Sequence, residues 1–252
     1  MNRFFILIAV AAMISSSCSF TPKNVHNFVF EASNNDEDYT PKVIEVLRKD
    51  RDSNCSIEFK PGVYHFYPEK AIEKYVSVSN NDNGLRRFVF TLERRDNIHI
   101  NGNGATFKFH GSTIPFLIEK SAKITIEGIN IEYDFPFDFE GTVVANNEKD
   151  KTFDLQVDKA NTFEIKDDIL YFKGYDWEMG LGENIVYNPA TKSPAYYTAK
   201  YEHDFKGHYL KAKALNENTI RFSNVHAEEV PPVGSIYSDK GPHGQNRNMW
   251  SA

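Results

Sequence analysis

The sequence is poor in cysteine, has no excess of positive charge, and lacks any apolar run long enough to cross a membrane as a helix. Two cysteines in 252 residues exclude a disulfide scaffold. Lysine and arginine number 29 against 35 aspartates and glutamates, a formal net charge of −6. That balance leaves no electrostatic footprint for nucleic acid, whose binding rests on neutralising phosphates. The apolar run at residues 4–14 is 11 residues long, where a helical span needs about 20. There is no Gly-x-Ser-x-Gly elbow, phosphate loop or dinucleotide fingerprint. The eight histidines, His65, His99, His110 and His243 among them, have no cysteine or carboxylate at ligand spacing, so neither metal nor cofactor is expected.

At 40% hydrophobic and 25% charged residues, the chain is that of a folded protein with one sizeable domain or two small ones. Arg3, the apolar run, and Ser15, Ser16 and Ser17 form a signal peptide over residues 1–17. Cys18 directly after the serines resembles the lipobox of bacterial lipoproteins, without the leucine that usually opens that motif. The expectation is export to the bacterial outer membrane or periplasm, with acylated Cys18 as a membrane anchor. Residues 18–35 then serve as a tether carrying one short strand at 25–30. Cys55 is the remaining thiol and precedes an apolar strand, where cysteine fills a core.

Thr40 as N-cap and Pro41 at the first helical position, with Val43, Ile44, Val46 and Leu47 behind them, predict an amphipathic cap helix ending at Lys49. Residues 57–59 and 63–66 alternate as strands around Pro61 and Gly62. Residues 88–109 then lie over residues 114–135 without a gap. Phe90 falls on Phe116, Ile98 on Ile124, Ile100 on Ile126, Gly102 on Gly128 and Phe107 on Tyr133, a period of 26 residues. Self-similar β-runs at such a period predict stacked coils of a parallel β-helix, with glycine at the corners and Asn97, Asn101 and Asn103 in side-chain ladders; two hairpins of a β-sandwich are the competing reading. Residues 140–157 read as a hairpin, 209–222 as a second strand pair, and 174–201 as a long ordered loop. The expected organisation is all-β: cap and first coils over 36–138, an inserted, barrel-like antiparallel β-domain over 139–235, and a return towards the coils over 236–252.

Polar clusters at coil edges are the candidate sites. Asn80, Asn81 and Asp82 with Arg86 offer the mix of donors and acceptors that sugar hydroxyls need. Asp134 and Asp138 stand among Tyr133, Phe135 and Phe137, where aromatic faces can stack on a pyranose and carboxylates can bind hydroxyls or move protons. Asp176, Trp177 and Glu178 form a further polar segment, as do residues 240–247. Each cluster also has a bland reading, as a polar turn or a hydrated aromatic corner.

Three runs, at residues 59–66, 78–85 and 100–111, resemble the N-terminal part of the bacterial α-1,3-galactosidases of glycoside hydrolase family 110, and the likeness continues through 124–131, 181–185 and 240–247. The resemblance implies a right-handed parallel β-helix with small barrel-like insertions. It also implies metal-independent, inverting hydrolysis of terminal α-1,3-linked galactose, as in blood-group B and linear galactosyl glycans. In that family the catalytic aspartates sit on coils beyond the Lys240-Gly241-Pro242 segment, so no residue here is matched to them. The expectation is a shortened chain, inactive alone, with an exposed apolar row on its last coil. Two other classes stay open: a surface-anchored glycan-binding module, and a β-helix polysaccharide lyase.

Overall fold

The computed structural model describes residues 25–49, 54–77, 83–182, 184–194, 210–226 and 230–241. The first unit runs β1 (Val25–Phe30), α1 (Thr40–Lys49), β2 (Asn54–Phe59), β3 (Val63–Phe66), β4 (Ile72–Val76), β5 (Gly84–Glu93), β6 (Asp96–Phe109), β7 (Ile114–Glu119) and β8 (Ala122–Tyr133). The second runs β9 (Phe139–Asn147), β10 (Thr152–Val157), β11 (Thr162–Lys166), β12 (Ile169–Lys173), β13 (Glu178–Gly180), β14 (Asn184–Tyr187), β15 (Lys211–Ala214), β16 (Thr219–Ser223) and β17 (Ile236–Asp239). Among the described residues no helix is long and apolar enough to cross a membrane.

Parallel pairing builds the first unit in tiers. β2 and β3 pair with the two ends of β6, β6 pairs with β8, and β5 pairs with β7. Alternation along each strand sends every second side chain inward. Like therefore stacks on like: Cys55 on Ile98 on Ile124, Ile57 on Ile100 on Ile126, Phe90 on Phe116. Cys55 is a buried, reduced thiol in this core. β1 adds a parallel strand beside β2.

The 26-residue period holds from Asp96 opposite Ala122 to Asn101 opposite Glu127, then slips to 24, with Ala105 opposite Ile129. Phe107 consequently stacks on Ile131, and Phe109 rather than Phe107 meets Tyr133. The extra residues form a bulge at Gly102, Asn103 and Gly104, where Asn103 (φ 50°) and Gly104 (φ 83°) are left-handed. Asn101 Oδ1 accepts from the Asn103 N–H at 2.9 Å, and the Asn103 amide donates to Phe59 O at 3.0 Å. The expected asparagine ladder is therefore replaced by a row of Glu58, Asn101 and Glu127. A side chain at Gly102 would collide with Gly128 O.

The cap helix spans the expected residues and buries Val43, Ile44 and Leu47. Its last turn is met by Arg95, whose guanidinium donates to Leu47 O at 2.7 Å, a cation where the helix dipole is negative. Thr40 corrects the N-cap reading. Its Oγ1 accepts from Tyr67 N at 2.9 Å and donates to Tyr67 O at 3.3 Å, tying the helix start to the chain after β3, while Asp38 Oδ1 receives the Thr40 N–H at 2.9 Å.

The second unit is antiparallel. Its main sheet has the order β14-β17-β9-β10-β16-β15, and β11-β12-β13 form a smaller sheet over the same core. The expected barrel does not close among the described residues: β14 and β15 stand at opposite edges, and Ala212 N donates instead to Asp168 O at 2.7 Å in the turn between β11 and β12. The smaller sheet covers the core that ring closure would otherwise have covered. The stretch read as a loop contains β13 and β14, and its end at 195–201 lies outside the described residues. β17 lies between β14 and β9, within the antiparallel sheet.

Candidate functional site

Where the tiers meet the smaller sheet, a cleft of about 410 Å³ opens between β4, β5 and β7 on one side and β13 on the other. Its floor is set by residues far apart in sequence. Arg87 on β5 donates to Glu73 Oε1 on β4 at 3.1 Å and to Asp176 Oδ2 at 3.0 Å. Asp176 Oδ1 also accepts from Ser112 N at 2.8 Å and Ser112 Oγ at 3.2 Å, which pins the segment before β7. The wall opposite carries Trp177, Glu178 and Met179. Trp177 packs on Phe137 and Phe172, with ring centroids 5.6 and 5.8 Å away. Its ring lies against Gly174, where a side chain would displace it. The cleft thus offers an indole, a guanidinium, carboxylates and hydroxyls, the set that binds a pyranose through one apolar face and its hydroxyls.

Behind the cleft, two hydrogen bonds and one charge contact link Asp134, His110, His65 and Asp36. His110 Nδ1 is 2.9 Å from Asp134 Oδ2, His110 Nε2 is 2.9 Å from His65 Nδ1, and His65 Nε2 is 3.4 Å from Asp36. Tyr67 stacks flat on His110 at 4.0 Å. Burial holds the His65 pKa below the usual histidine value against the opposing pull of Asp36, with His110 lowering it further. Residues 110–113 connect this set to the cleft, since Thr113 and Ser112 line the opening while His110 is buried behind it.

The sequence candidates separate. Asn80, Asn81 and Asp82 lie outside the described residues. Arg86 lines the cleft with its side chain folded over Gly84. Asp134 belongs to the histidine set. Asp138 does not line the cleft but sits beside buried Asp239, whose neighbour in the ladder is Phe139. Residues 176–178 and Arg86 stand far apart in the sequence; they are brought to one cleft by the Arg87–Asp176 contact, which spans 89 residues and which no local pattern announces. Glu73 and Ser112 carried no signal of their own. Among the described residues no group of three or more His, Cys, Asp or Glu could hold a metal ion.

Burial, with Glu140 and Asp239 adding repulsion against a smaller pull from Lys240, pushes the Asp138 carboxyl from 3.8 up to about 7. The folded chain therefore holds this proton where the unfolded chain has released it. Stability from Asp138 is present below about pH 4 and is lost as pH rises towards 7. Asp138→Asn is expected to raise the melting temperature by about 2–5 °C at pH 8 and to leave it unchanged near pH 4. Melting curves at the two pH values check this, and an equal shift at both would contradict it.

Residues 139–237 match the family described as GLAA-B beta-barrel domain I. The chain is 27% identical to Alpha-1,3-galactosidase A of Shewanella woodyi over 210 residues, 79% of this chain and 34% of that protein. It is 33% identical to Alpha-1,3-galactosidase B of Akkermansia muciniphila over 132 residues, 52% of this chain and 16% of that protein. With Alpha-1,3-galactosidase B of Parabacteroides distasonis the identity is 26% over 161 residues, 63% and 26% of the two chains. The chain spans about a third or less of the length of these relatives. An alignment of 210 residues is longer than either unit, so the likeness to α-1,3-galactosidases extends over tiers and antiparallel sheets together.

Proposed function

We propose that this chain is a glycan-active protein of the α-1,3-galactosidase kind, acting on glycans that end in α-1,3-linked galactose. The observation that carries this is the 210-residue similarity to a protein named as such a galactosidase. Within the same reading the tiers are turns of a right-handed parallel β-helix, and the chemistry of the whole architecture is exo-acting and inverting. Inversion needs two carboxyl groups about 6.5–9.5 Å apart with a water between them. The cleft itself is read as a binding site, with no carboxyl pair of its lining taken for that role. Export and attachment through acylated Cys18 belong to the same proposal and rest on Arg3, the apolar run and the serines before Cys18.

A binding role for the chain as it stands is favoured by the cleft beneath Trp177. Titration with galactosyl-α-1,3-galactose, followed by calorimetry and by release of free galactose, tests both parts. Saturable binding without galactose release is expected. Trp177→Ala should weaken binding about tenfold, the worth of one aromatic face. Absence of saturable binding at millimolar ligand removes the binding role, and rapid galactose release overturns the expected inactivity.

A further inference from the structure

One corner of the tiers holds two imidazoles that share a hydrogen bond. The register that stacks Phe66, Phe109 and Tyr133 continues one residue further, where His110 N donates to Phe66 O at 2.9 Å and Asp134 N donates to Phe109 O at 3.2 Å. Tyr67, His110 and Asp134 therefore form one column, with His65 of β3 beside it. Both histidines are buried, their rings lie within 17° of parallel, and His65 Nδ1 meets His110 Nε2 at 2.9 Å.

An N···N contact of that length holds one proton and not two. On its other side His110 Nδ1 donates to the Asp134 carboxylate at 2.9 Å, and His65 Nε2 faces Asp36 at 3.4 Å. Three ring protons fit: one towards Asp134, one between the rings and one towards Asp36. That is a pair with a single positive charge, and losing the proton that faces Asp36 leaves the bond between the rings intact. A fourth proton sets N–H against N–H, so the rings must part. We infer that His65 and His110 form a latch that accepts one added proton, and that a second proton releases residues 110–113 from the wall of the cleft.

The surrounding charges fit this capacity. Asp36 and Asp38 approach from the segment before α1, Asp134 from the end of β8 and Lys108 from β6. Asp36 and Asp134 draw in one positive charge, while Lys108, burial and the neighbouring ring act against a further one on His65. Tyr67 and Tyr175 flank His110; Glu69 accepts from the Tyr175 hydroxyl, and Asp176 is held by Arg87 and Ser112. The path to the cleft is short. Gly111 (φ 62°) packs where a side chain would strike Asp176, and Ser112 N and Oγ both donate to Asp176 Oδ1. Thr113 Oγ1 donates to His110 O at 3.3 Å, and Thr113 O accepts from the Tyr133 hydroxyl at 2.9 Å. Parting the rings shifts these contacts, and Ser112 and Thr113 line the opening. The effect on binding rests on the cleft being the sugar site proposed above.

NMR of the ring nitrogens of the intact chain, titrated from about pH 8 to about pH 4, reads the latch directly. The two rings together are expected to carry one added proton while the hydrogen-bonded amides of His110, Ser112 and Thr113 stay protected from exchange. The second proton is expected to enter together with loss of that protection. Binding of galactosyl-α-1,3-galactose should weaken about tenfold for each pH unit below that step, because only the latched state binds. His65→Asn separates this effect from titration of Glu73, Asp176 and Glu178 at the cleft. Its amide takes the place of Nδ1 and turns either a donor or an acceptor to His110, so the steep acid loss of binding should disappear. Two rings that charge independently with the corner unmoved, or an acid loss unchanged in His65→Asn, would overturn the inference. Absence of binding at every pH overturns the sugar-site reading instead, and the ring titration then decides the latch by itself.

Discussion

Phe107→Ala is expected to lower the stability of the fold by about 3–5 kcal/mol, the range for deleting a buried aromatic ring. Phe107 is wholly buried in the second tier. Its ring lies 4.6 Å from Phe59, 5.2 Å from Phe66 and 5.5 Å from Phe90, which it faces nearly in parallel. The strands around it are held by ladders on both sides, β3 above and β8 below, so they cannot close over the space left behind. That rigidity puts the cost towards the upper part of the range. Phe107→Leu refills much of the volume and should cost far less. Urea unfolding curves decide the matter: a loss below about 1 kcal/mol for the alanine variant would mean that the tiers repack more freely than their pairing implies.

Asp239→Ala should cost about 3 kcal/mol or more, because three donors lose their acceptor together, each at about 1–3 kcal/mol. The Asp239 side chain has no solvent contact. Its Oδ1 accepts from Gly182 N at 2.9 Å and Gly241 N at 2.8 Å, and its Oδ2 accepts from the Tyr237 hydroxyl at 2.9 Å. Burial first, and then the Asp239 charge and this hydrogen bond, raise the Tyr237 pKa well above the ordinary tyrosine value. One gain runs the other way. Removing the negative charge beside Asp138 should bring its pKa down from about 7, though burial and Glu140 keep it above 3.8. The net loss should therefore be smaller above pH 7 than at pH 5. Denaturant unfolding at the two pH values, with NMR titration of the Asp138 carboxyl, separates lost hydrogen bonds from relieved repulsion.

The tiers were legible because stacked strands repeat their inward residues, and Phe90 over Phe116 or Ile98 over Ile124 shows directly in the register. The slip after Asn101 was not, since Gly102, Asn103 and Gly104 add length at a corner that carries no inward side chain to mark it. The hairpin of β9 and β10 followed from its alternation. That of β11 and β12 went unread although Asp167 and Asp168 supply two left-handed residues in its turn. Loop-like composition hid β13 and β14, because a short strand inside a covered sheet needs little pattern of its own. Asp134 beside aromatic residues suggested a sugar site, but its partner is His110, 24 residues earlier, and that partnership follows from the β6–β8 ladder rather than from composition.

The place of β17 between β14 and β9 sets a schedule for synthesis. β9 can form its hairpin with β10 as soon as residue 157 has emerged, yet its other edge waits for Ile236–Asp239, about 80 residues later. At about 5–20 residues per second, translation leaves that edge open for roughly 4–16 s. During that interval any factor that shields strand edges on the nascent chain has its clearest opportunity to act on this protein, and a pause placed before residue 236 would lengthen the exposure in proportion.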